Sequence, residues 1–192
     1  MSAETKILCI EDYLAMPETR QHYEIIDGEL IMPPAPTLYH QWINKKLLFA
    51  LDHHVQMHQL GIVLGAPVDV LIHQPPIQTR QPDVLYISFE HSGFKDSDSL
   101  IGIQLLEIAP DLVVEILSSS DTRRKIKDKL ADYQTIGVRE CWLVSPEGQT
   151  VEVLKVTSEK IERIGIFGTG QEISSEVFPE LSLLVNDIFE SN

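Results

Sequence analysis

Two acidic residues lie within apolar segments of the kind that form strands, where a carboxylate is chemically significant. Glu115 interrupts residues 109–118, an apolar and partly β-branched run of the kind found in buried strands. Asp83 lies near the start of a second such run, residues 81–87. An ionised carboxylate in a buried strand is costly unless something pairs with it. Glu115 is therefore a structural ion-pair partner, a strand-end residue at a cleft, or a ligand for a cation.

The order of the predicted strands places Asp83 and Glu115 at the ends of neighbours in one sheet. Two carboxylates on adjacent strands can hold one Mg²⁺ ion, which prefers a few hard oxygen ligands and keeps several waters. Mn²⁺ is the expected substitute. A cation held in this way polarises a phosphoryl oxygen and makes a bound water more acidic. The acid pair therefore indicates metal-assisted hydrolysis of a phosphate ester.

A lysine beside the two acids would stabilise the charge that develops on the phosphate in the transition state. Residue 117 shares a strand face with Glu115, but it is a leucine in this chain. A helix is predicted to follow the strand, and its buried stripe is formed by Ile126, Leu130 and Tyr133. At about 100° per residue, Lys129 lies on the flank of this stripe and is the lysine best placed to reach the sheet. The alternative is that Lys129 only runs along the edge of the core.

Positive charge is concentrated in one short segment of an acidic chain. The net charge of −14 argues against a generic nucleic-acid binder, because phosphate contacts need a basic surface. Of the 15 Lys and Arg residues, however, five lie between positions 123 and 129. The residues that we expect to face a phosphodiester backbone are Arg80, Arg123, Arg124, Lys125 and Lys127.

A hairpin and two helices frame the predicted sheet. The Asp27-Gly28 pair between two short apolar runs predicts a β-hairpin over residues 23–32. A helix is predicted from about 37 to 58, with Gly61 ending it. A second helix, capped within residues 118–122, is predicted to run to position 136.

The remaining segments complete an α/β chain with a mixed sheet flanked by helices, which we expect to form one domain over residues 1–192 with a core of about 10–188. A Pro-Pro loop is predicted over 73–80 and a polar loop over 88–104. Short helices are predicted at 8–19 and near the end of 178–189. The predicted strands are residues 62–64, 68–72, 82–87, 110–117, 141–144, 150–156 and 159–167.

Composition indicates a cytoplasmic protein without a membrane partner. The hydrophobic content of 43% and the charged content of 23% are typical of globular proteins. No apolar run approaches the roughly 20 residues that a membrane span needs, and the polar first six residues are not a signal peptide. Cys9 and Cys141 lie far apart without metal-site spacing, which excludes a disulfide framework and a zinc site.

Five motifs in this order resemble the Uma2 (DUF820) family of the PD-(D/E)XK nuclease superfamily over roughly residues 10–188. The motifs are Tyr23-Glu-Ile-Ile-Asp-Gly-Glu-Leu, Gln81-Pro-Asp-Val, Pro110-Asp-Leu-Val-Val-Glu-Ile-Leu-Ser-Ser-Ser, Lys129-Leu-Ala-Asp-Tyr133 and Gly137-Val-Arg-Glu-Cys-Trp-Leu-Val144. The resemblance implies a restriction-endonuclease-like core, a mixed sheet flanked by helices. It also implies a Mg²⁺-dependent endonuclease that acts on DNA.

The resemblance also implies roles for single residues. Asp83 and Glu115 match the metal-binding acids, and Lys129 matches a lysine that has moved from the strand to the helix. Glu24 and His40 match recurrent polar positions of the family. Glu24 is either an outer-shell ligand of a metal or a ligand of water, or it is a carboxylate that ties the hairpin to the helix. Tyr133 either orients Lys129 or simply packs.

Three functions are consistent with these residues. The first is the endonuclease. The second is a catalytically silent nuclease-fold protein that binds nucleic acid or serves in assembly, as the −14 charge and Leu117 suggest. The third is a metal-dependent hydrolase of another phosphorylated substrate, because fold does not fix function. Cutting of both DNA strands would favour a homodimer, for which the hairpin and the strand at 150–156 offer pairing edges.

Overall fold

The structure is a computed structural model that describes residues 7–17, 19 and 21–190. The first six residues, on which the expectation about a signal peptide rests, lie outside this range. The helices of the structure are α1 (Ile10–Leu14), α2 (Leu38–His58), α3 (Phe89–Ser92), α4 (Arg123–Ile136) and α5 (Val185–Phe189), with a 3₁₀ turn at Ser97–Leu100. Its strands are β1 (Glu24–Ile26), β2 (Glu29–Ile31), β3 (Gly61–Gly65), β4 (Val70–His73), β5 (Gln78–Arg80), β6 (Val84–Ser88), β7 (Leu112–Ile116), β8 (Glu140–Ser145), β9 (Thr150–Val156) and β10 (Ile161–Phe167).

Six strands form the main sheet in the order β10-β9-β8-β7-β6-β3. Only the β7–β8 pair is parallel, and α4 supplies the crossover that parallel neighbours require. All five residues of β7 are buried, as its apolar sequence predicts. The predicted α/β fold with a mixed sheet flanked by helices is therefore confirmed.

The two faces of the main sheet are covered by different elements. Val114 and Trp142 belong to a core that includes buried residues of α2 and α5. Val113 and Cys141 belong to a second core on the other face, which includes Tyr133 of α4 and residues of β4. The alternation of strand side chains therefore decides that Glu115, two residues after Val113, faces α4.

A smaller sheet holds four strands in the order β2-β1-β5-β4. The predicted hairpin forms its edge, and Asp27 and Gly28 have the positive φ angles of 50° and 78° that a tight hairpin turn requires. The prediction that residues 73–80 form only a loop was wrong, because β5 pairs with both β1 and β4. All three residues of β5 are buried although they are polar, and Thr79 Oγ1 accepts a hydrogen bond from the Ile25 amide.

Three further features differ from the sequence expectations: the end of α2, the edge of the main sheet and the length of α1. The residue that ends helix α2 is Gln59, which follows His58 and has a φ of 54° in the left-handed region, so Gly61 does not end the helix. Gly61 instead opens β3, where a Cβ atom would lie 2.1 Å from the Ile87 carbonyl oxygen. The strand at 150–156 is not an open edge, because β10 pairs along it. The predicted helix over 8–19 spans only α1.

Within the described part of the chain, no helix combines the length and the apolar character needed to cross a bilayer.

Candidate active site

Asp83 and Glu115 meet at the end of the two central antiparallel strands β6 and β7. Val84 pairs with Val114 in this ladder, so the next position places Asp83 opposite Glu115. Asp83 Oδ2 accepts a hydrogen bond of 2.7 Å from the Ile116 amide, which fixes its carboxylate at the strand end. Both acid side chains are shielded, with 15% and 11% of their surface exposed. The structure thus brings together the two acids that the sequence paired.

Lys129 reaches this pair from α4, in the inward direction that helical spacing predicts. Its Nζ lies 2.7 Å from Glu115 Oε2. The Tyr133 hydroxyl, one helical turn further on, donates a short hydrogen bond to Glu115 Oε1. Both oxygens of Glu115 are therefore engaged from α4, and Lys129 places an ammonium group beside Glu115 although position 117 is a leucine. Leu117 itself packs against the core on that face.

Glu24 joins the site from β1 and is held by Arg80. Its Oε1 lies 3.3 Å from Lys129 Nζ, and its Oε2 lies 2.9 Å from Arg80 Nη1. Arg80 also contacts Asp132 of α4, with Nη2 2.6 Å from Oδ2. Glu24 therefore ties the hairpin strand to α4, the second of the two roles predicted from the sequence, and its role as an outer ligand of a metal or of water stays a prediction.

The assignment of Arg80 to the nucleic-acid contacts is corrected by this geometry. Arg80 is 7% exposed, and its guanidinium is turned towards two carboxylates of the protein. A phosphate in solution cannot replace these partners without opening the contact between β5 and α4. The sequence shows Arg80 close to Asp83, but it does not indicate that Glu24 and Asp132, which are distant in the sequence, pair with Arg80.

His40 approaches Asp83 from the first turn of α2, which Thr37 caps. Its Nε2 lies 3.1 Å from the Ile116 carbonyl oxygen and 3.4 Å from Asp83 Oδ1. Burial alone would lower the pKa of His40, but the hydrogen bond and the charge of Asp83 outweigh it and the pKa is raised. His40 thus supports the Asp83 side of the site, as Lys129 and Tyr133 support the Glu115 side.

Electrostatics decide which groups at the site carry a proton. Burial would lower the pKa of Lys129, but the carboxylates of Glu115 and Glu24 raise it, so Lys129 remains an ammonium ion. Burial and the charge of Glu115 raise the pKa of Tyr133, which therefore stays a neutral donor. Burial raises the pKa of Glu115 as well, against the opposing effect of Lys129. Lys129 can stabilise negative charge here but cannot accept a proton.

The donor set fits a hydrated divalent cation. No group of three or more His, Cys, Asp or Glu side chains among residues 7–17, 19 and 21–190 is arranged as a metal cage. Mg²⁺ does not require one, because it binds through one or two carboxylates and retains waters. Among the described residues, Glu24 Oε1 and His40 Nδ1 are buried without a hydrogen bond, although Glu24 Oε1 lies 3.3 Å from the Lys129 ammonium, and waters on a cation would supply hydrogen-bond partners to both.

Two further residues of this region were missed in the sequence. His22 lies half-buried two positions before Glu24, just outside β1, and belonged to none of the motifs. Asn44 lies one helical turn after His40, and its Oδ1 atom is also buried without a partner. Asp132 belongs to one of the five motifs, but nothing in the sequence indicated that it pairs with Arg80.

The basic segment of α4 is exposed to solvent. Lys125 Nζ donates to the Ser120 carbonyl oxygen at 3.3 Å, and Arg124 lies 3.7 Å from Asp128. These contacts are weak and leave the cationic groups accessible. The exposed members are Arg123, Arg124, Lys125 and Lys127. Their contact with nucleic acid stays a prediction.

Replacing Arg80 with alanine is expected to lower the free energy of unfolding by about 3–5 kcal/mol, because Asp132 would keep a shielded charge without a partner and Glu24 would keep only Lys129. Urea denaturation of the variant measures this loss. Arg124→Ala is the matched control and should change stability by less than about 0.5 kcal/mol, because Arg124 is exposed. Equal effects of the two substitutions would contradict the structural role of Arg80.

The sheet order and the acid pair with its helix-borne lysine place the protein in the restriction-endonuclease-like class of α/β folds. The family model Uma2, described as “Putative restriction endonuclease”, matches residues 10–186, and the chain belongs to this family. The resemblance inferred from the sequence motifs is therefore confirmed.

A solved structure shows the same fold. The crystal structure of “a putative nuclease belonging to DUF820” from Anabaena variabilis is similar to this chain with a TM-score of 0.75 and 22% sequence identity. The similarity covers 95% of this chain and 97% of that chain. The comparison with curated proteins found no match.

Proposed function

We propose that the protein is a Mg²⁺-dependent endonuclease that hydrolyses phosphodiester bonds of DNA. The observation that carries this proposal is the position of the Lys129 ammonium group, 2.7 Å from Glu115, at the strand end where Asp83 lies opposite Glu115. Two acids that can hold a metal ion and a permanent cation at one shielded point suit metal-assisted hydrolysis of a phosphate ester. Membership of a family described as restriction endonucleases supports the same reaction.

The residues have separable roles in this proposal. Asp83 and Glu115 would hold Mg²⁺, or Mn²⁺ in its place, and the bound ion would polarise the phosphoryl oxygen and acidify a water. Lys129 stabilises the negative charge that grows on the phosphate oxygens. Tyr133 fixes the orientation of Glu115, and Glu24 holds Lys129 in place from the other side.

Cleavage assays test the proposal directly. Supercoiled plasmid, linear duplex DNA, single-stranded DNA and RNA are incubated with the protein and Mg²⁺, Mn²⁺ or EDTA. We expect nicked and linear plasmid with either metal and none with EDTA. A preference for RNA would correct the substrate, and absence of products from every nucleic acid would contradict the proposal.

The exposed basic segment of α4 is the expected backbone contact. Replacing its four residues Arg123, Arg124, Lys125 and Lys127 with alanine is expected to weaken DNA binding equally for all sequences. It should also reduce the slope of log K against log[salt] by up to about 3.6, because each lost phosphate contact contributes about 0.9. Fluorescence anisotropy at several salt concentrations measures this slope.

The control for this experiment removes the same charge elsewhere. Alanine replaces Lys95, Lys155, Lys160 and Arg163, which lie outside α4. This variant should keep the wild-type slope to within about one contact. If both variants lost affinity to the same extent, the net charge of the protein and not the α4 segment would control DNA binding.

The second candidate is a catalytically silent DNA-binding or assembly protein. One observation favours it, because both oxygens of Glu115 are already engaged by Lys129 and Tyr133, as in a structural ion pair. This alternative requires DNA binding without cleavage, and calorimetric titration with Mn²⁺ should then show no binding that depends on Asp83. A homodimer stays a prediction, and sedimentation analysis of the protein tests it.

A further inference from the structure

The basic side chains of the chain divide into those that an acid neutralises and those that have no acidic partner. Arg80, Lys129 and Arg139 are of the first kind, since each forms an ion pair with a carboxylate. The Lys and Arg residues that form no ion pair within the described part of the chain are Lys45, Lys46, Lys95, Arg123, Lys125 and Lys127. All of these except Lys95 lie on α2 or α4. Because unpaired cations are what the phosphates of nucleic acid bind, α2 is a candidate contact as well as α4.

Helix α2 begins at the end of the main sheet where the two acids lie. His40, in its first turn, has Nε2 3.4 Å from Asp83 Oδ1 and 3.1 Å from the Ile116 carbonyl oxygen. Helix α4 begins at the same end, because it follows β7 after the loop at 117–122. The two helices cover opposite faces of the sheet, since their buried residues belong to separate cores. The acid pair therefore lies between the start of α2 and the start of α4.

The side chains of Lys45 and Lys46 reach back along α2 towards its first turns. The ammonium group of Lys45 lies 3.9 Å from the centre of the Trp42 ring, and that of Lys46 lies 5.5 Å from it. These contacts join positions three and four apart, and a helical side chain that meets the preceding turn points towards the N-terminus. Cation–π contacts hold the ammonium groups without neutralising them. Because Lys45 is exposed and Lys46 partly exposed, both charges remain accessible to a ligand.

We propose that Trp42, Lys45 and Lys46 form a second contact for the DNA backbone, on the side of the acid pair opposite to α4. The inference rests on the proposed function and adds to it that the substrate is held from both faces of the main sheet. Each lysine binds a phosphate as a point charge, and the Trp42 ring keeps both ammonium groups close to the first turn of the helix.

The rival occupant of this face is a second copy of the chain. Leu38 and Phe49 are 91% and 67% exposed, and at about 100° per residue both lie on the same side of α2 as Trp42. The lysines favour DNA, because lysine is depleted from the centre of protein–protein interfaces and a buried ammonium group without an acid is costly. A phosphodiester backbone supplies the negative charge that the two lysines lack.

The test replaces Lys45 and Lys46 together with alanine and measures DNA binding in EDTA, where cleavage does not interfere. Fluorescence anisotropy with duplex DNA should give a slope of log K against log[salt] that is smaller by about 1.8, at about 0.9 for each phosphate contact. Lys45→Arg/Lys46→Arg keeps both charges and should keep the slope. The matched control is Lys95→Ala/Lys160→Ala, which removes two exposed charges outside α2 and α4 and should change the slope by less than about 0.5.

The outcomes for this inference and for the proposed function are distinct. An unchanged slope in Lys45→Ala/Lys46→Ala, or an equal reduction in the control, would overturn the inference. An unchanged slope together with a dimer that Phe49→Ser dissociates in sedimentation analysis would instead assign the face to a second copy of the chain. Equal losses in the alanine and arginine variants would show a structural role and also overturn the inference. A reduced slope in a protein that binds DNA but cleaves none with Mg²⁺ or Mn²⁺ would support the contact and overturn the proposed function alone.

Discussion

Replacing Glu115 with glutamine is expected to reduce metal-dependent cleavage by about 10³-fold or more, because it removes a charged ligand from the proposed cation site. The fold should persist. Glutamine has nearly the same shape, it can still accept from Tyr133 or Lys129, and Lys129 keeps Glu24 as a partner at 3.3 Å. The measurement is initial rate of plasmid nicking with Mg²⁺, paired with circular dichroism to confirm folding.

Glu147→Gln is the matched control for this substitution. Glu147 lies in the exposed turn between β8 and β9, so the variant makes the same chemical change without touching the site. Asp83→Asn should reproduce the loss seen with Glu115→Gln, since the two acids would share one ion. If Glu115→Gln cleaved DNA at the wild-type rate, Glu115 would be a structural ion-pair partner and the catalytic assignment would fail.

Local patterns were sufficient to predict much of the site. The Asp27-Gly28 pair predicted the hairpin that carries Glu24, because a two-residue turn leaves few choices of geometry. Helical spacing predicted that Lys129 points inward, because α4 needs a buried face to pack on the sheet. In both cases, the prediction needs only residues that lie close together in the sequence.

Contacts between distant segments could not be predicted in this way. Strand β5 is polar, and it is buried only because its side chains find partners far along the chain, as Arg80 does 56 residues away in Glu24 and 52 away in Asp132. A single sequence contains no local sign of such pairs.

The site consists of alternating charges that depend on one another. Asp132 binds Arg80, Arg80 binds Glu24, and Glu24 and Glu115 both bind Lys129. This chain connects the small sheet, α4 and the main sheet. Removing Arg80 leaves Asp132 unpaired, and removing Lys129 leaves Glu115 unpaired, so either substitution should cost more than the contact itself is worth. Under the proposed function, stability and catalysis are therefore coupled at Lys129, because its partner Glu115 is a proposed metal ligand.

Lys129→Met is expected to lower the free energy of unfolding by about 3–5 kcal/mol and to abolish cleavage. Methionine fills similar space, but Glu115 would then be a buried carboxylate without a cation, and Glu24 would keep only Arg80 as a partner. The loss is measured by urea denaturation near neutral pH. Lys127→Met, an exposed neighbour on α4, should change stability by less than about 0.5 kcal/mol.

The pH dependence and a double variant separate the charge effect from packing. Glu115 and Glu24 raise the pKa of Lys129 against burial, so its stabilising contribution persists below the unfolded pKa of 10.5 and disappears only as pH rises through the folded value. The cost of Lys129→Met should therefore be constant between about pH 7 and about pH 9. It should shrink in acid, as the unpaired Glu115 carboxylate becomes protonated. In Glu115→Gln/Lys129→Met, that charge is gone, and the loss should fall short of the sum of the single losses by about 1–3 kcal/mol. An additive double variant would mean that Lys129 stabilises the protein through its methylene chain and not through its charge.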